Sequence, residues 1–195
     1  MLKSYFDKRK IEVGCDEAGR GCVAGPVVAA AVILPKNYKN KDLDDSKKLS
    51  EKQRVALRKQ IENDATEYAI GIVSEEKIDE INILNASFLA MHKALDQLNK
   101  EFDLILVDGN RFNRYKSVAH ECIIKGDGKY LSIAAASILA KTYRDDIMEA
   151  YHQNYPHYLW TANKGYPTIK HRAAIKLHGI TEHHRRTFQL LKREN

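Results

Sequence analysis

The sequence has few cysteines and lacks any hydrophobic run long enough to cross a membrane. Its three cysteines, Cys15, Cys22 and Cys122, are too sparse for a disulfide framework and are typical of reduced thiols in a cytosolic protein. The spacing of Cys15 and Cys22 differs from the short spacing of a zinc knuckle, which disfavours a zinc site. The longest apolar runs, such as Val27–Leu34, have eight residues, whereas a membrane helix needs about 20. The charged residues 1–10 do not have the pattern of a secretory signal, and we expect a cytoplasmic protein.

The positive charge is concentrated at the C-terminal end of the sequence. The 195 residues carry a net charge of +6, and residues 161–195 contain eight Lys/Arg against two Glu, so the rest of the chain is formally neutral. Localised positive charge is typical of proteins that bind a nucleic-acid backbone. A solvated basic helix face is the alternative interpretation of the same residues.

Hydrophobic periodicity predicts alternating strands and helices. The predicted strands are Lys10–Asp16, Pro26–Leu34, Glu67–Val73, Leu104–Val107 and Val118–Ile124. The predicted helices are a helix capped by Ser50 and reaching Asn63, then Ile83–Leu98, Tyr130–Tyr151, a helix capped by Thr168 and reaching His178, and Arg185–Arg193. This order of elements indicates an α/β sheet protein.

Acidic residues beside glycine follow three of the predicted strands. Asp16, Asp108 and Asp127 each end or closely follow an apolar strand, and ligands of such sheets collect at strand ends. Carboxylate oxygens suit Mg²⁺ or Mn²⁺, and a pair of such ions can activate water and stabilise the leaving oxygen of a phosphodiester. Each acid has an alternative role as a turn residue, which is strongest for Asp127 in its Gly-Asp-Gly turn. Glu17 is a less secure ligand than Asp16, because neighbouring strand residues point to opposite faces.

Seven segments carry a resemblance to one known family. They are DEAGRG (residues 16–21), AGPV (24–27), DSKKL (45–49), VDGN (107–110), GD with AAASILAKTYRD (126–127 and 134–145), NKGYPT followed by His171 (163–171), and HRRTF (184–188). In this order they resemble ribonuclease HII, the type 2 ribonuclease H family. The loop differs from the usual pattern at Cys22 and Val23, where proline and leucine are more common.

The resemblance implies a fold, an activity and a set of functional residues. The fold would be a ribonuclease H-like five-stranded mixed sheet flanked by helices over residues 1–155, with a basic helical C-terminal extension over residues 156–195. The enzyme would hydrolyse the RNA strand of RNA–DNA hybrids and nick duplex DNA 5′ to an embedded ribonucleotide, leaving 3′-hydroxyl and 5′-phosphate ends. Four acids would be catalytic and would bind two Mg²⁺ or Mn²⁺ ions: Asp16, Glu17, Asp108 and Asp127. The substrate would contact Gly19, Arg20, Gly21 and Tyr166. Lys47 is a candidate phosphate contact, for which a solvated loop lysine is the alternative interpretation.

Two other functions are compatible with parts of the sequence. Gly19, Gly21 and Gly25 are similar to a dinucleotide-binding fingerprint, but that fingerprint must open a helix, and Pro26 here leads into a β-branched run. A non-catalytic nucleic-acid-binding protein would explain the basic C-terminal residues but leaves the three aspartates without a role. We expect the protein to be a monomer.

Overall fold

One mixed sheet organises the chain. The computed structural model describes residues 2–43 and 49–191, and within these ranges five strands lie in the order β3-β2-β1-β4-β5. Their bounds are Glu12–Ala18 (β1), Val27–Ile33 (β2), Glu67–Val73 (β3), Leu104–Asp108 (β4) and Ala119–Ile123 (β5). The β1–β2 and β2–β3 pairs are antiparallel, and the β1–β4 and β4–β5 pairs are parallel. The predicted α/β class and five-stranded mixed sheet are confirmed.

Helices cover both faces of this sheet. Their bounds are Glu51–Asp64 (α1), Glu75–Ile81 (α2), Ile83–Leu95 (α3), Leu131–Asn154 (α4), Trp160–Asn163 (α5) and Ile169–His178 (α6). Helix α3 packs on one face, and α4, with α1 against it, packs on the other. The predicted cap at Ser50 is present and forms a capping box with Gln53. Helix α2 was not predicted, because its segment is short and mostly charged. Within the described ranges, every helix is too short or too polar to span a membrane.

Small residues let α4 lie very close to the central strand. A Cβ atom on Gly14 of β1 would stand 2.3 Å from the carbonyl carbon of Ser132 in α4, so only glycine fits there. The first half of α4 contains buried alanines at positions 134, 135, 136 and 140. This close packing places Ser137 and Lys141, one and two turns further along α4, over the end of β1.

The segment after α4 packs into the protein interior. Tyr158 and Trp160 are fully buried and form an apolar cluster with Val23, Met148 and Ile175. After α6 the chain runs in turns, so the helix predicted over Arg185–Arg193 is wrong for its described residues 185–191.

The reason for this departure lies in the backbone hydrogen bonds of the segment. The N–H of Arg185 donates to the Val23 carbonyl, and the N–H groups of Arg186 and Thr187 donate to the Asp79 carboxylate at 2.7 and 3.0 Å. These tertiary partners replace the bonds of a helix.

Candidate active site

Two of the predicted aspartates stand side by side on neighbouring strands. Cys15 of β1 is paired in parallel with Val107 of β4, so the residues that follow them, Asp16 and Asp108, occupy equivalent positions. Adjacent strands lie about 4.8 Å apart. Because Cys15 and Val107 pack in the core under α3, the alternating pleat turns both aspartates toward α4. There Ser137 hydrogen-bonds the Asp16 carboxylate.

The side chains of Glu17 and Asp16 line one groove of the protein, although the two residues are adjacent in β1. Strand β1 continues to Ala18, two residues beyond the predicted end, and the Asp16 Oδ1 atom accepts the N–H of Glu17 at 2.7 Å. The Glu17 carboxylate lies 3.1 Å from Nη1 of Arg20, which anchors it at the groove wall. Asp16, Glu17 and Asp108 are called the carboxylate half of the site below.

Asp127 lies beside this half in a separate turn. The 3-10 turn Gly126–Gly128 follows β5, and the N–H of Gly126 donates to Oδ1 of Asp108 at 2.7 Å. The Asp127 side chain is buried, and its Oδ1 atom accepts the N–H of Gly128 at 3.0 Å. The turn role is therefore present and the turn is hydrogen-bonded to Asp108, but Asp127 is not among the residues that line the groove with the other three acids, and it stays a predicted ligand.

Burial and mutual repulsion act together on these acids. Burial, with the nearby Glu17 and Asp108 carboxylates, raises the pKa of Asp16 well above its usual range. Burial also raises the pKa of Glu17, against the opposing effect of Arg20. Oxygen donors with crowded negative charge fit a hard divalent cation, which would offset the repulsion. In residues 2–43 and 49–191, no three acidic, histidine or cysteine side chains already form a group that could hold a metal ion.

Asp16, Glu17 and Asp108 open into a groove of about 350 Å³. Its lining combines the carboxylate half with a glycine loop and with cations from two helices: Asp16, Glu17, Ala18, Gly19, Arg20, Gly21, Arg54, Asp108, Ser137, Lys141 and Tyr166. Sequence reasoning missed Arg54, Ser137 and Lys141. The four-residue spacing of Ser137 and Lys141 on a helix that covers the strand ends was the available signal.

The glycine loop rests on a buried arginine of α4. Gly19 has a φ of +98°, and a Cβ there would stand 2.1 Å from Nε of Arg144. The guanidinium of Arg144 donates to the carbonyls of Pro26 (2.9 Å), Ala24 (2.9 Å) and Lys164 (2.7 Å). It therefore joins the loop to the turn that carries Tyr166.

A second buried arginine holds the same loop from the C-terminal segment. Arg185 is fully buried and donates to the carbonyls of Gly25 (2.7 Å), Pro26 (3.2 Å) and Arg20 (3.2 Å). Burial lowers the pKa of Arg185 to about 10, so the group remains charged at neutral pH.

Tyr166 faces the glycine loop across the groove. The residue is 44% exposed, and its Cε1 atom lies 3.7 Å from the position of a Cβ on Gly21. Gly19, Arg20, Gly21 and Tyr166 are called the loop half of the site. The structure thus brings these four predicted contact residues together with three of the four predicted acids.

The remaining basic residues divide into buried and exposed groups. Lys47 lies outside the described residues. Arg185 and Lys164 are buried inside the protein, so these two do not belong to an exposed basic surface. Lys170 of α6 and Arg186 are exposed.

Comparison with known proteins gives a consistent result over the whole chain. The family model for Ribonuclease HII matches residues 13–191. The chain belongs to the ribonuclease HII family. Ribonuclease HII of Bacteroides thetaiotaomicron is 65% identical over 191 residues, which are 98% of this chain and 96% of that protein.

Solved structures show the same fold. The crystal structure of ribonuclease H2 from Pyrococcus horikoshii OT3 has a TM-score of 0.76 at 28% identity and covers 92% of this chain and 94% of that one. The Mn²⁺ complex of Bst-RNase HIII has a TM-score of 0.70 at 18% identity, covers 92% of this chain and 67% of that one, and is similar in fold. The predicted family, fold and enzyme class, a metal-dependent ribonuclease, are confirmed. The family supports an endoribonuclease function on RNA–DNA hybrids.

Proposed function

We propose that the protein cleaves the RNA strand of RNA–DNA hybrids and also nicks duplex DNA on the 5′ side of an embedded ribonucleotide. The products carry 3′-hydroxyl and 5′-phosphate ends. Two divalent ions, Mg²⁺ or Mn²⁺, are held by four acids: Asp16, Glu17, Asp108 and Asp127. The protein acts as a cytoplasmic monomer. Membership of the ribonuclease HII family supports the reaction class, and the arrangement of the groove supports the finer assignments.

One observation carries this proposal. Asp16 and Asp108 are placed by strand register at neighbouring positions, and the groove that they line continues directly into the loop half. A phosphodiester bound at the carboxylates would therefore have its sugars within reach of the glycine loop and Tyr166. Lys141 and Arg54 line the same groove and offset the negative charge of the phosphates.

The carboxylates provide oxygen donors for the ions, which, when bound, activate water and stabilise the leaving oxygen. Ser137 holds the Asp16 carboxylate, and the N–H of Gly126 holds that of Asp108. These hydrogen bonds orient the donors before a substrate arrives, which reduces the ordering needed on binding.

The loop half distinguishes ribose from deoxyribose. The 2′-hydroxyl both donates and accepts hydrogen bonds, and it is what separates RNA from DNA at a given position. Glycines at 19 and 21 let the loop backbone approach that hydroxyl closely. The exposed Tyr166 ring packs on the deoxyribose that follows the ribonucleotide.

A cleavage assay tests the reaction. The substrates are a labelled DNA duplex with one ribonucleotide and a long RNA–DNA hybrid, each with Mg²⁺, Mn²⁺ or chelator. We expect metal-dependent cuts in both, with a nick 5′ to the single ribonucleotide whose 3′ end a DNA polymerase can extend. Binding of both substrates without any cut would contradict the proposal and favour a non-catalytic nucleic-acid binder.

Tyr166→Ala tests the role of the ring. Loss of an apolar contact worth about 1.4 kcal/mol should lower kcat/KM on the single-ribonucleotide duplex by about tenfold. The long hybrid should be affected less, because it has no deoxyribose after the cut. Tyr5→Ala is the matched control, since Tyr5 is 45% exposed and lines a different cavity, beside Lys10 and Lys36. Equal losses on both substrates in Tyr166→Ala would contradict a junction role.

A further inference from the structure

A closed set of polar side chains lies buried behind Tyr166. Trp160, His171 and His184 have exposed fractions of 0%, 0% and 1%. Trp160 Nε1 lies 3.0 Å from His171 Nε2, which lies 3.3 Å from His184 Nε2. On the outer sides, His171 Nδ1 is 2.9 Å from the carbonyl oxygen of Tyr166, and His184 Nδ1 is 3.0 Å from the N–H nitrogen of Thr181.

These partners assign the ring protons of the two histidines. A carbonyl oxygen only accepts, so Nδ1 of His171 carries the proton and donates to Tyr166. An indole N–H only donates, so Nε2 of His171 accepts from Trp160 and is unprotonated. His184 accepts from Thr181 at Nδ1 and therefore donates from Nε2 to His171. Both rings are neutral, which agrees with the lowering of both pKa values by burial.

The hydrogen bond from His171 acts on the backbone that determines the place of the Tyr166 ring. The carbonyl of Tyr166 accepts from His171 Nδ1 and from the N–H of Thr168 at 2.8 Å. The Tyr166 N–H donates to the Asn163 carbonyl at 2.9 Å. Tyr166 is 44% exposed, and its side chain is hydrogen-bonded to that of the buried Cys22. The direction of the ring into the groove therefore depends on this contact and on the backbone hydrogen bonds.

His184, the member of the set furthest from Tyr166, lies in a segment that is hydrogen-bonded to the end of the glycine loop. His184 forms an isolated β-bridge with Ala24, and the N–H of Gly25 donates to the His183 carbonyl at 2.9 Å. The His171–His184 hydrogen bond therefore connects the Tyr166 turn to the segment that carries the loop. Nothing in this set touches the groove, so its members act only through the loop half.

We propose that His171 is a positioning residue for Tyr166, holding the ring at a set separation from the glycine loop and so contributing to cleavage of the single-ribonucleotide duplex relative to the long hybrid. The substrate preference rests on the proposed function, whereas the positioning of the ring does not. The neutral His171 ring performs two tasks at once, donation to Tyr166 and acceptance from Trp160 and His184.

Two substitutions separate these tasks. His171→Asn keeps an N–H near the former Nδ1 and loses the acceptor for Trp160 and His184. His171→Gln keeps an acceptor near the former Nε2 and loses the donor to Tyr166. Each leaves buried groups unpaired, so both variants should unfold at a lower temperature than the wild type. Ile175→Ala is the control for stability alone, because Ile175 is buried in the same region outside the hydrogen-bonded set.

The first readout is fluorine NMR of protein labelled with 3-fluorotyrosine. The Tyr166 signal is identified among the ten tyrosines by its loss in Tyr166→Phe. We expect this signal to move or broaden in His171→Gln and to stay in place in His171→Asn and Ile175→Ala. An unmoved signal in His171→Gln, or equal movement in His171→Gln and His171→Asn, would overturn the proposal whether or not the protein cleaves the expected substrates.

The second readout is the ratio of kcat/KM on the single-ribonucleotide duplex to that on the long hybrid. We expect the ratio to fall several-fold in His171→Gln, to be kept in His171→Asn, and to show no further fall when His171→Gln is added to Tyr166→Ala. Additive falls would overturn the proposal. If Tyr166→Ala itself leaves the ratio unchanged, the junction role in the proposed function fails, and the fluorine signal alone then decides whether His171 positions the ring.

Discussion

The two halves of the groove are supported by different kinds of interior. The carboxylate half stands on apolar strands, in which Val13, Cys15, Ile105 and Val107 are fully buried. The loop half stands on buried polar groups, which are Arg144, Arg185, His171 and His184. Apolar packing tolerates small changes of shape, whereas a buried polar group that loses a partner is costly. The comparison indicates that substitutions in the carboxylate half can abolish activity while the protein stays folded. Substitutions in the support of the loop half should lower activity and stability together.

The largest expected effect is on the carboxylate half. Asp108→Asn keeps an oxygen that can accept from Gly126 but removes a metal-binding charge, so kcat/KM should fall at least about 100-fold on both substrates. The melting temperature without metal should stay or rise, because repulsion of Asp16 is relieved. Asp103→Asn, at the opposite end of the same strand region, is the matched control and should keep full activity. A large fall in melting temperature in Asp108→Asn would contradict the inference that the carboxylate half can lose activity without loss of stability.

The next effect is on the support of the loop half. In Arg144→Lys one ammonium cannot reach the carbonyls of Ala24, Pro26 and Lys164 together, so the variant should lose about 3 kcal/mol of stability, or about 6–12 °C in Tm. Activity should fall on both substrates. Arg9→Lys is the control: Arg9 is an exposed arginine that pairs with Asp7 at the surface, and its replacement should leave the stability nearly unchanged. The free energy of unfolding of both variants is measured by urea denaturation. Equal decreases would show that the buried hydrogen bonds of Arg144 stabilise the protein no more than an exposed ion pair does.

The smallest effect concerns protonation of the loop half. Burial, with the nearby His171 and His183, lowers the pKa of His184 to about 4. Between pH 6.5 and about 4, His184 is therefore protonated in the unfolded chain but neutral in the folded chain. The free energy of unfolding consequently decreases as the pH falls through this window. His184→Asn keeps an acceptor for the Thr181 N–H and removes this titration.

The measurement is the free energy of unfolding at pH 7 and pH 5 in the two proteins. We expect a smaller decrease from pH 7 to pH 5 in His184→Asn than in the wild type. An equal decrease in both would contradict the assignment of this pH dependence to His184.

The sequence was most informative where local pattern decides the structure. The strands and the main helices follow from apolar periodicity, and the capping box at Ser50 and Gln53 marks the start of α1 correctly. The helix predicted after Arg185 was wrong, because the pattern could not reveal that Asp79 and Val23 would take its backbone N–H groups.

By itself, the sequence determined the α/β class, the family motifs and the acids at strand ends, since these depend on short-range periodicity and on residue type. Only the tertiary structure decided that β1 and β4 are neighbours in a register that sets Asp16 beside Asp108. Only it showed that Arg185 and Lys164 are internal groups and that His171 contacts the backbone of Tyr166. The physical reason is that strand order and buried hydrogen bonds join residues far apart in the chain, where sequence spacing carries no information about distance.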